Sequence, residues 1–236
     1  MDEALALLAR DGVATAVIAG GTQRVPQLGQ DEVDEVVDLQ SLGLAAIEVG
    51  KIDVTLGAMA TLQAMADHAR LPAALREAAY REGPNTLRHA ATLGGALVSA
   101  EPTSELLAAL LVYEARVDVQ DQAGVRQLAL ADFLADIPAA LGNGLVTGIT
   151  LGQSGRCATA RVARTPADAP IVAAVARRTP DRRTLLALCG VAALPVLVNP
   201  DDVTASIDPP GDFRGSSQYR RAMAVTLAGR VLEEIA

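Results

Sequence analysis

The sequence predicts an α+β chain in two lobes: a larger lobe of mixed sheet and helices over residues 1–153, subdivided near residue 58, and a small sheet-and-helix domain over residues 154–236. Three observations carry this. The 236-residue length suits one large or two small domains with ample room for a buried core. Apolar runs of strand length are interspersed with segments of helical period in both parts of the chain. Gly152-Gln153-Ser154-Gly155 is the best linker in the sequence, and a new strand pattern begins after it.

Leu5, Leu7 and Leu8, set between charged ends and stopped by Asp11-Gly12, read as a short first helix. Residues 13–19 are apolar apart from Thr15 and end in Gly20-Gly21-Thr22, so a buried strand feeds directly into a glycine loop. Residues 35–39 form a second strand. Residues 44–49 and 52–56 flank Gly50-Lys51, whose leading glycine predicts a type II′ hairpin turn. Thr61 caps a helix over 62–69, and Pro72 opens another that reaches Ala78 or Glu82. The period then disappears, and residues 83–103 are predicted as a long loop region holding a second glycine pair, Gly94-Gly95.

Ser104 caps a helix over 105–113, residues 116–121 and 125–130 flank Gln122-Ala123-Gly124 as a hairpin, and residues 145–151 close the lobe as a strand. In the smaller lobe residues 158–163, 171–177 and 183–192 are strand-like, the last two joined by a turn at Thr179-Pro180-Asp181. The longest apolar stretch, 185–198, reads as a buried strand pair; it contains Pro195 and falls short of the roughly 18 to 20 residues that cross a bilayer. Residues 199–215 are rich in Asp, Pro and Gly, and Ser216 then caps a final amphipathic helix reaching Ile235.

With 50% hydrophobic and 20% charged residues, the chain lies outside the disordered class. A net charge of -8 without a Lys/Arg stripe argues against nucleic acid, since counterion release needs clustered cations facing phosphates. Met1-Asp2-Glu3 is acidic where a secretory signal is basic, and the expectation is a cytoplasmic protein with no membrane span. Cys157 and Cys189 have no metal-ligand spacing, so no metal site is expected from this chain alone and any redox metal belongs to a partner. His68 and His89 read as surface histidines, Lys51 sits in a turn, and no residue is assigned a catalytic role. Aromatic residues make up 2% of the chain, so a flat ligand would be held mostly by backbone.

The sharpest feature is Ala19-Gly20-Gly21-Thr22-Gln23 after an apolar strand, because consecutive glycines allow positive φ and present successive N–H groups to an anion. Neither this loop nor Ala91-Thr92-Leu93-Gly94-Gly95-Ala96 has the lysine of a Walker A loop or the three-glycine dinucleotide fingerprint. Read as residues, the two are either tight turns or the halves of a diphosphate clamp.

The order of these motifs resembles the FAD-binding (medium) subunit of the molybdenum hydroxylases, the family of xanthine dehydrogenase and aerobic carbon monoxide dehydrogenase. The resemblance spans nearly the whole chain. It rests on Val17-Ile18-Ala19-Gly20-Gly21-Thr22, on Ala91-Thr92-Leu93-Gly94-Gly95 followed by Pro102-Thr103-Ser104-Glu105-Leu106-Leu107, on Arg161-Val162-Ala163-Arg164, and on the closing D-x-x-G-S-x-x-Y-R run from Asp212 to Arg220. The chain departs from the pattern at Gln23 and Ala96, where small polar residues are usual, at Glu105 in place of an aspartate, and at Arg161 where lysine is common.

The resemblance implies a PCMH-type fold and bound FAD, with Ala19, Gly20, Gly21, Thr22, Gln23, Thr92, Gly94, Gly95, Glu105 and Arg161 as cofactor-binding residues. It also implies two partners, a [2Fe–2S] small subunit and a molybdopterin large subunit, with a dimer of heterotrimers as the assembly. Electrons would pass from the iron–sulfur clusters to FAD and on to a terminal acceptor. The rival expectation is a flavin-free assembly subunit of the same fold. A free-standing flavin oxidase is disfavoured, since no His, Cys or Tyr cluster offers an acid, a base or a covalent anchor.

Overall fold

The computed structural model describes residues 1–28 and 32–236. Helix α1 (Asp2–Leu8) leads into β1 (Thr15–Ile18), which pairs in parallel with β2 (Glu35–Asp38). Val37 and Leu39 turn inward to Ala4 and Leu5 of α1 and to Leu145, forming a small core of their own.

Strands β3 (Ile47–Val49) and β4 (Asp53–Gly57) follow as an antiparallel hairpin. Its turn lies one residue later than Gly50-Lys51. Val49 pairs with Val54 and the Gly50 N–H donates to Asp53 O at 2.8 Å, so Lys51 and Ile52 make the turn. Neither has positive φ, which rules out the type II′ turn. Register decides this: Val54 and Leu56 are fully buried while Ile52 is 71% exposed, and a slip of one residue would reverse those faces.

Next come α2 (Leu62–Asp67), with the Ala64 N–H on Thr61 Oγ1, and α3 (Ala73–Arg81). The expected loop over 83–103 is instead largely helical, holding α4 (Asn85–Arg88) and α5 (Leu93–Ser99). Pro84 and the glycine pair mask the period, but Thr92 Oγ1 accepts the Gly95 N–H and caps α5. Helix α6 (Glu105–Val112) is capped by Ser104 Oγ, which accepts the Leu107 N–H, and all eight of its residues are buried. After β5 (Arg116–Asp121) and β6 (Gly124–Ala129), α7 (Leu130–Ala135) and α8 (Ile137–Leu141) lead to β7 (Leu145–Gly152). These strands form a five-stranded antiparallel sheet of order β3-β4-β7-β5-β6.

Beyond residue 153 lie β8 (Arg156–Val162), β9 (Val172–Arg178), β10 (Thr184–Cys189) and β11 (Val196–Val198), an antiparallel sheet of order β11-β10-β9-β8, and then α9 (Ser217–Ile235). Strand β9 is apolar without a break from Val172 to Ala176 because both faces of the sheet are covered. Ala173, Val175, Ala187 and Cys189 face α6 within the main core. Val172, Ala174, Ala176, Leu186 and Leu188 face Ala224, Leu227, Ala228, Val231 and Ile235 of α9, residues at helical spacing.

Two arginines tie this sheet to its surroundings. Arg177 donates to Val112 O at 3.0 Å and to Ser154 O, so a β9 side chain satisfies a carbonyl at the end of α6. Arg220, 1% exposed on α9, donates to Ile171 O and Gly190 O and makes two 2.8 Å bonds to Asp212. Asp212 Oδ1 also accepts the Arg214 and Gly215 N–H groups, and Ser216 caps α9. The closing sequence signature is thus a structural lock.

Candidate functional site

Strand β1 delivers the first glycine loop into a cleft. The Leu39 N–H donates to Ile18 O at the strand end, and the chain then turns with Gly21 at φ +71°. The loop closes through the Val25 N–H on Gly21 O at 3.0 Å. No backbone N–H of residues 20–23 donates to another described residue. A run of uncommitted N–H groups at a glycine turn is an anion cradle.

The second glycine pair lies against the first loop. A Cβ at Gly20 would stand 1.8 Å from Ala90 O, so only glycine lets the loop approach the segment that precedes α5. That segment is strapped to the exit of β4 by Leu62 N–H to Ala91 O, Leu93 N–H to Ala60 O and Gly94 N–H to Ala58 O. Gly94 and Gly95 therefore differ from the N–H-presenting loop expected of them. Both sit in the first turn of α5, neither has positive φ, and their N–H groups are taken by Ala58 O and Thr92 Oγ1. Their contribution is bare backbone: a Cβ at Gly94 would come 3.0 Å from the Ala58 Cβ and 3.1 Å from its carbonyl oxygen.

Between the two lies a cleft of about 570 Å³, within the range of small-molecule and cofactor sites. Ala19, Gly20, Gly21, Thr22, Gln23, Thr92, Gly94 and Gly95 all line it, together with apolar Leu39, Met59, Leu87, Val98, Leu145 and Val146. Glu105 and Arg161 do not line it. They face each other behind it at 2.9 Å, with Arg81 3.3 Å from the other Glu105 oxygen. Burial pushes the Glu105 carboxyl upward while Arg161 and Arg81 pull it back. Arg161 also donates to Pro166 O and Asp168 O, so it links β8, the following loop and α6.

Sequence reasoning missed Glu82 and Glu101, which with Arg24 are the charged described residues lining the cleft. Glu82 follows α3 directly, and its Oε1 accepts from Ser104 Oγ and from Leu106 N–H, both at 2.9 Å. Burial, aided by Glu105 and Glu101 and opposed by those two hydrogen bonds, pushes its carboxyl up to about 7. In the sequence Glu82 is one carboxylate at a helix end, indistinguishable from a solvated one; the only signal is the Gly83-Pro84 break after it.

Residues 1–152 match the family described as "FAD binding domain in molybdopterin dehydrogenase". The chain belongs to this family. It is the FAD-binding, electron-transfer subunit of a molybdenum-hydroxylase-type oxidoreductase and works within a multi-subunit complex. It is 28% identical over 234 residues to YgfM of Escherichia coli K12, covering 94% of this chain and 88% of that protein. It is 30% identical over 140 residues to the nicotinate dehydrogenase FAD-subunit of Eubacterium barkeri, covering 56% of this chain and 47% of that one.

Among solved structures, a reconstituted CO dehydrogenase from Oligotropha carboxidovorans superposes with a TM-score of 0.85 at 24% identity, over 99% of this chain and 94% of that one. Quinoline 2-oxidoreductase from Pseudomonas putida 86 does so at 0.85 and 21%, over 100% and 93%. The fold is the PCMH-type mixed α/β arrangement expected from the motifs. No helix among the described residues is long and apolar enough to cross a membrane.

The cleft fits the family's dinucleotide on its own terms. The free N–H groups of residues 20–23 suit a diphosphate, the backbone at Gly94 and Gly95 allows close approach, and the apolar walls suit ring systems.

Proposed function

We propose that the cleft binds one FAD noncovalently, with its diphosphate on the N–H groups of residues 20–23 and its rings against the apolar walls. The observation that carries this reading is the run of uncommitted N–H groups in a loop that lines one cleft with the bare backbone of Gly94 and Gly95. No Cys, His or Tyr is among the described lining residues, which leaves no covalent anchor. Bound FAD supplies the electron exchange; the chain supplies orientation, exclusion of water and an exposed approach for a neighbouring protein.

In this reading Thr92 holds the start of α5, and the strap from Ala58 and Ala60 fixes the floor on which the cofactor rests. Glu105 and Arg161 position the cleft from behind, joining the lobe of residues 1–153 to the domain of residues 154–236. The partners are a [2Fe–2S] subunit that delivers electrons and a molybdopterin subunit that oxidises the substrate, assembled in the cytoplasm. Support comes from the family.

The test is retention of flavin. The purified chain should carry FAD through gel filtration at near one-to-one ratio, and added FAD should raise the melting temperature of stripped protein. If FAD does neither, the chain serves assembly alone.

A further inference from the structure

Glu82 is tied to α6 by one oxygen only. Oε1 accepts from Ser104 and Leu106, whereas Oε2 takes no hydrogen bond from another described residue. Oε2 is not among the fully enclosed side-chain atoms without a hydrogen-bond partner. Glu82 lines the cleft, and Oε2 is its carboxyl oxygen not committed to α6.

The charged described residues lining the cleft are two carboxylates, Glu82 and Glu101, and one cation, Arg24. Glu101 lines the same cleft and Glu105 opens α6 beside it. The nearby cations are turned elsewhere: Arg81 to Glu77 and Glu105, Arg161 to Glu105, Pro166 O and Asp168 O, and Arg88 to Gly83 O and Gln63 Oε1. Cys189 of β10, behind Glu105, is a thiol that burial holds in its neutral form. Glu82 makes no ion pair with another described residue.

Resting on the FAD reading above, we infer that Glu82 is a proton-carrying contact for the cofactor: its carboxyl is protonated in the complex and Oε2–H donates to an acceptor atom of FAD. The balance is simple. Free protein with ionised Glu82, one FAD and one solvent proton give the complex with neutral Glu82. Each negative charge brought by the diphosphate adds to those of Glu101 and Glu105, and all favour the protonated form. The free carboxyl already titrates near pH 7, so the proton is taken up across the physiological range.

FAD affinity should fall about threefold to tenfold per pH unit above about pH 7, tenfold being the limit for one whole proton. Glu82→Gln keeps an oxygen for Ser104 and Leu106 and an N–H for the cleft but cannot titrate, so its affinity should be flat with pH. The measurement is calorimetric titration of FAD into the stripped full-length chain at about pH 8, in two buffers of different ionisation enthalpy. Proton uptake in the wild type that disappears in Glu82→Gln, with Glu101→Gln retaining it, establishes the contact. FAD that binds with no uptake, or with equal uptake in Glu82→Gln, overturns it and leaves the FAD site standing. A wild-type chain that binds no FAD at any pH overturns both. Should Glu82→Gln fail to fold, the wild-type profile decides alone, since pH-independent affinity is incompatible with the contact.

Discussion

Gly20 and Ala90 meet so closely that a Cβ on the first would stand 1.8 Å from the carbonyl oxygen of the second. This contact sets the first glycine loop against the segment leading into α5, and so sets the width of the cleft. Gly20→Ala cannot be absorbed by a side-chain shift because the obstacle is backbone. Overpacking of this kind costs about 1–3 kcal/mol, and the variant should show a lowered melting temperature together with a low flavin-to-protein absorbance ratio. Full occupancy in this variant would remove the loop from the binding site.

Arg220→Met should be strongly destabilising. It strands the carbonyls of Ile171 and Gly190 and leaves Asp212 without its two-pronged partner. Leaving a buried acceptor unsatisfied typically costs about 1–3 kcal/mol, which urea unfolding would register as a lower midpoint at unchanged slope. The Arg220 and Arg214 bonds and the backbone N–H groups hold the Asp212 carboxyl well below the usual carboxylate range. Its contribution is therefore present above the ordinary carboxylate pKa and lost as pH falls toward its folded value, so acid should release this lock.

The flavin-free chain should lose stability as pH rises from about 4.5 to about 7, because Glu82 is raised from 4.5 to about 7 in the folded protein. The sign follows from proton count: within that window the folded state holds a proton that the unfolded state has released. Melting temperatures measured across the window should decline in the wild type and decline less in Glu82→Gln. Identical profiles would place the Glu82 carboxyl in a more solvated setting.

Purified from its native source at modest salt, the chain should arrive with partners that contain iron and molybdenum, measured by elemental analysis of the complex. A lone, catalytically self-sufficient flavoprotein would refute the subunit reading. An assembled complex without flavin would keep the family and remove electron transfer through this chain.

Most strands and capped helices were legible because their signals are local. Ser104, Thr61 and Ser216 cap the helices they precede, and the apolar runs of β9 and β10 follow from two covered faces. Eight of the ten expected site residues line one cleft because the two glycine motifs mark where backbone meets backbone. What stayed hidden depends on distant partners. The helix at Gly94-Gly95 needs Ala58 and Thr92 to explain it, the hairpin turn at Lys51-Ile52 needs the burial of Val54, and Glu82 needs Ser104 and Leu106. The pairing of Glu105 with Arg161 joins residues 56 positions apart, a juxtaposition no spacing announces.

The family match stops at residue 152, yet the helix that fills the centre of the molecule does not stop there in its packing. Leu106, Leu107 and Leu110 of α6 have no exposed surface, and α6 rests on β9 and β10 as well as on α3. A fragment ending at the family boundary would open an oily flank on its own central helix and leave Val112 O without Arg177. Such a fragment should be recovered as aggregate, while the 236-residue chain stays monodisperse. Kinship along the sequence and cooperativity in folding thus have different borders in this protein, and excision at residue 152 would follow the first while cutting through the second.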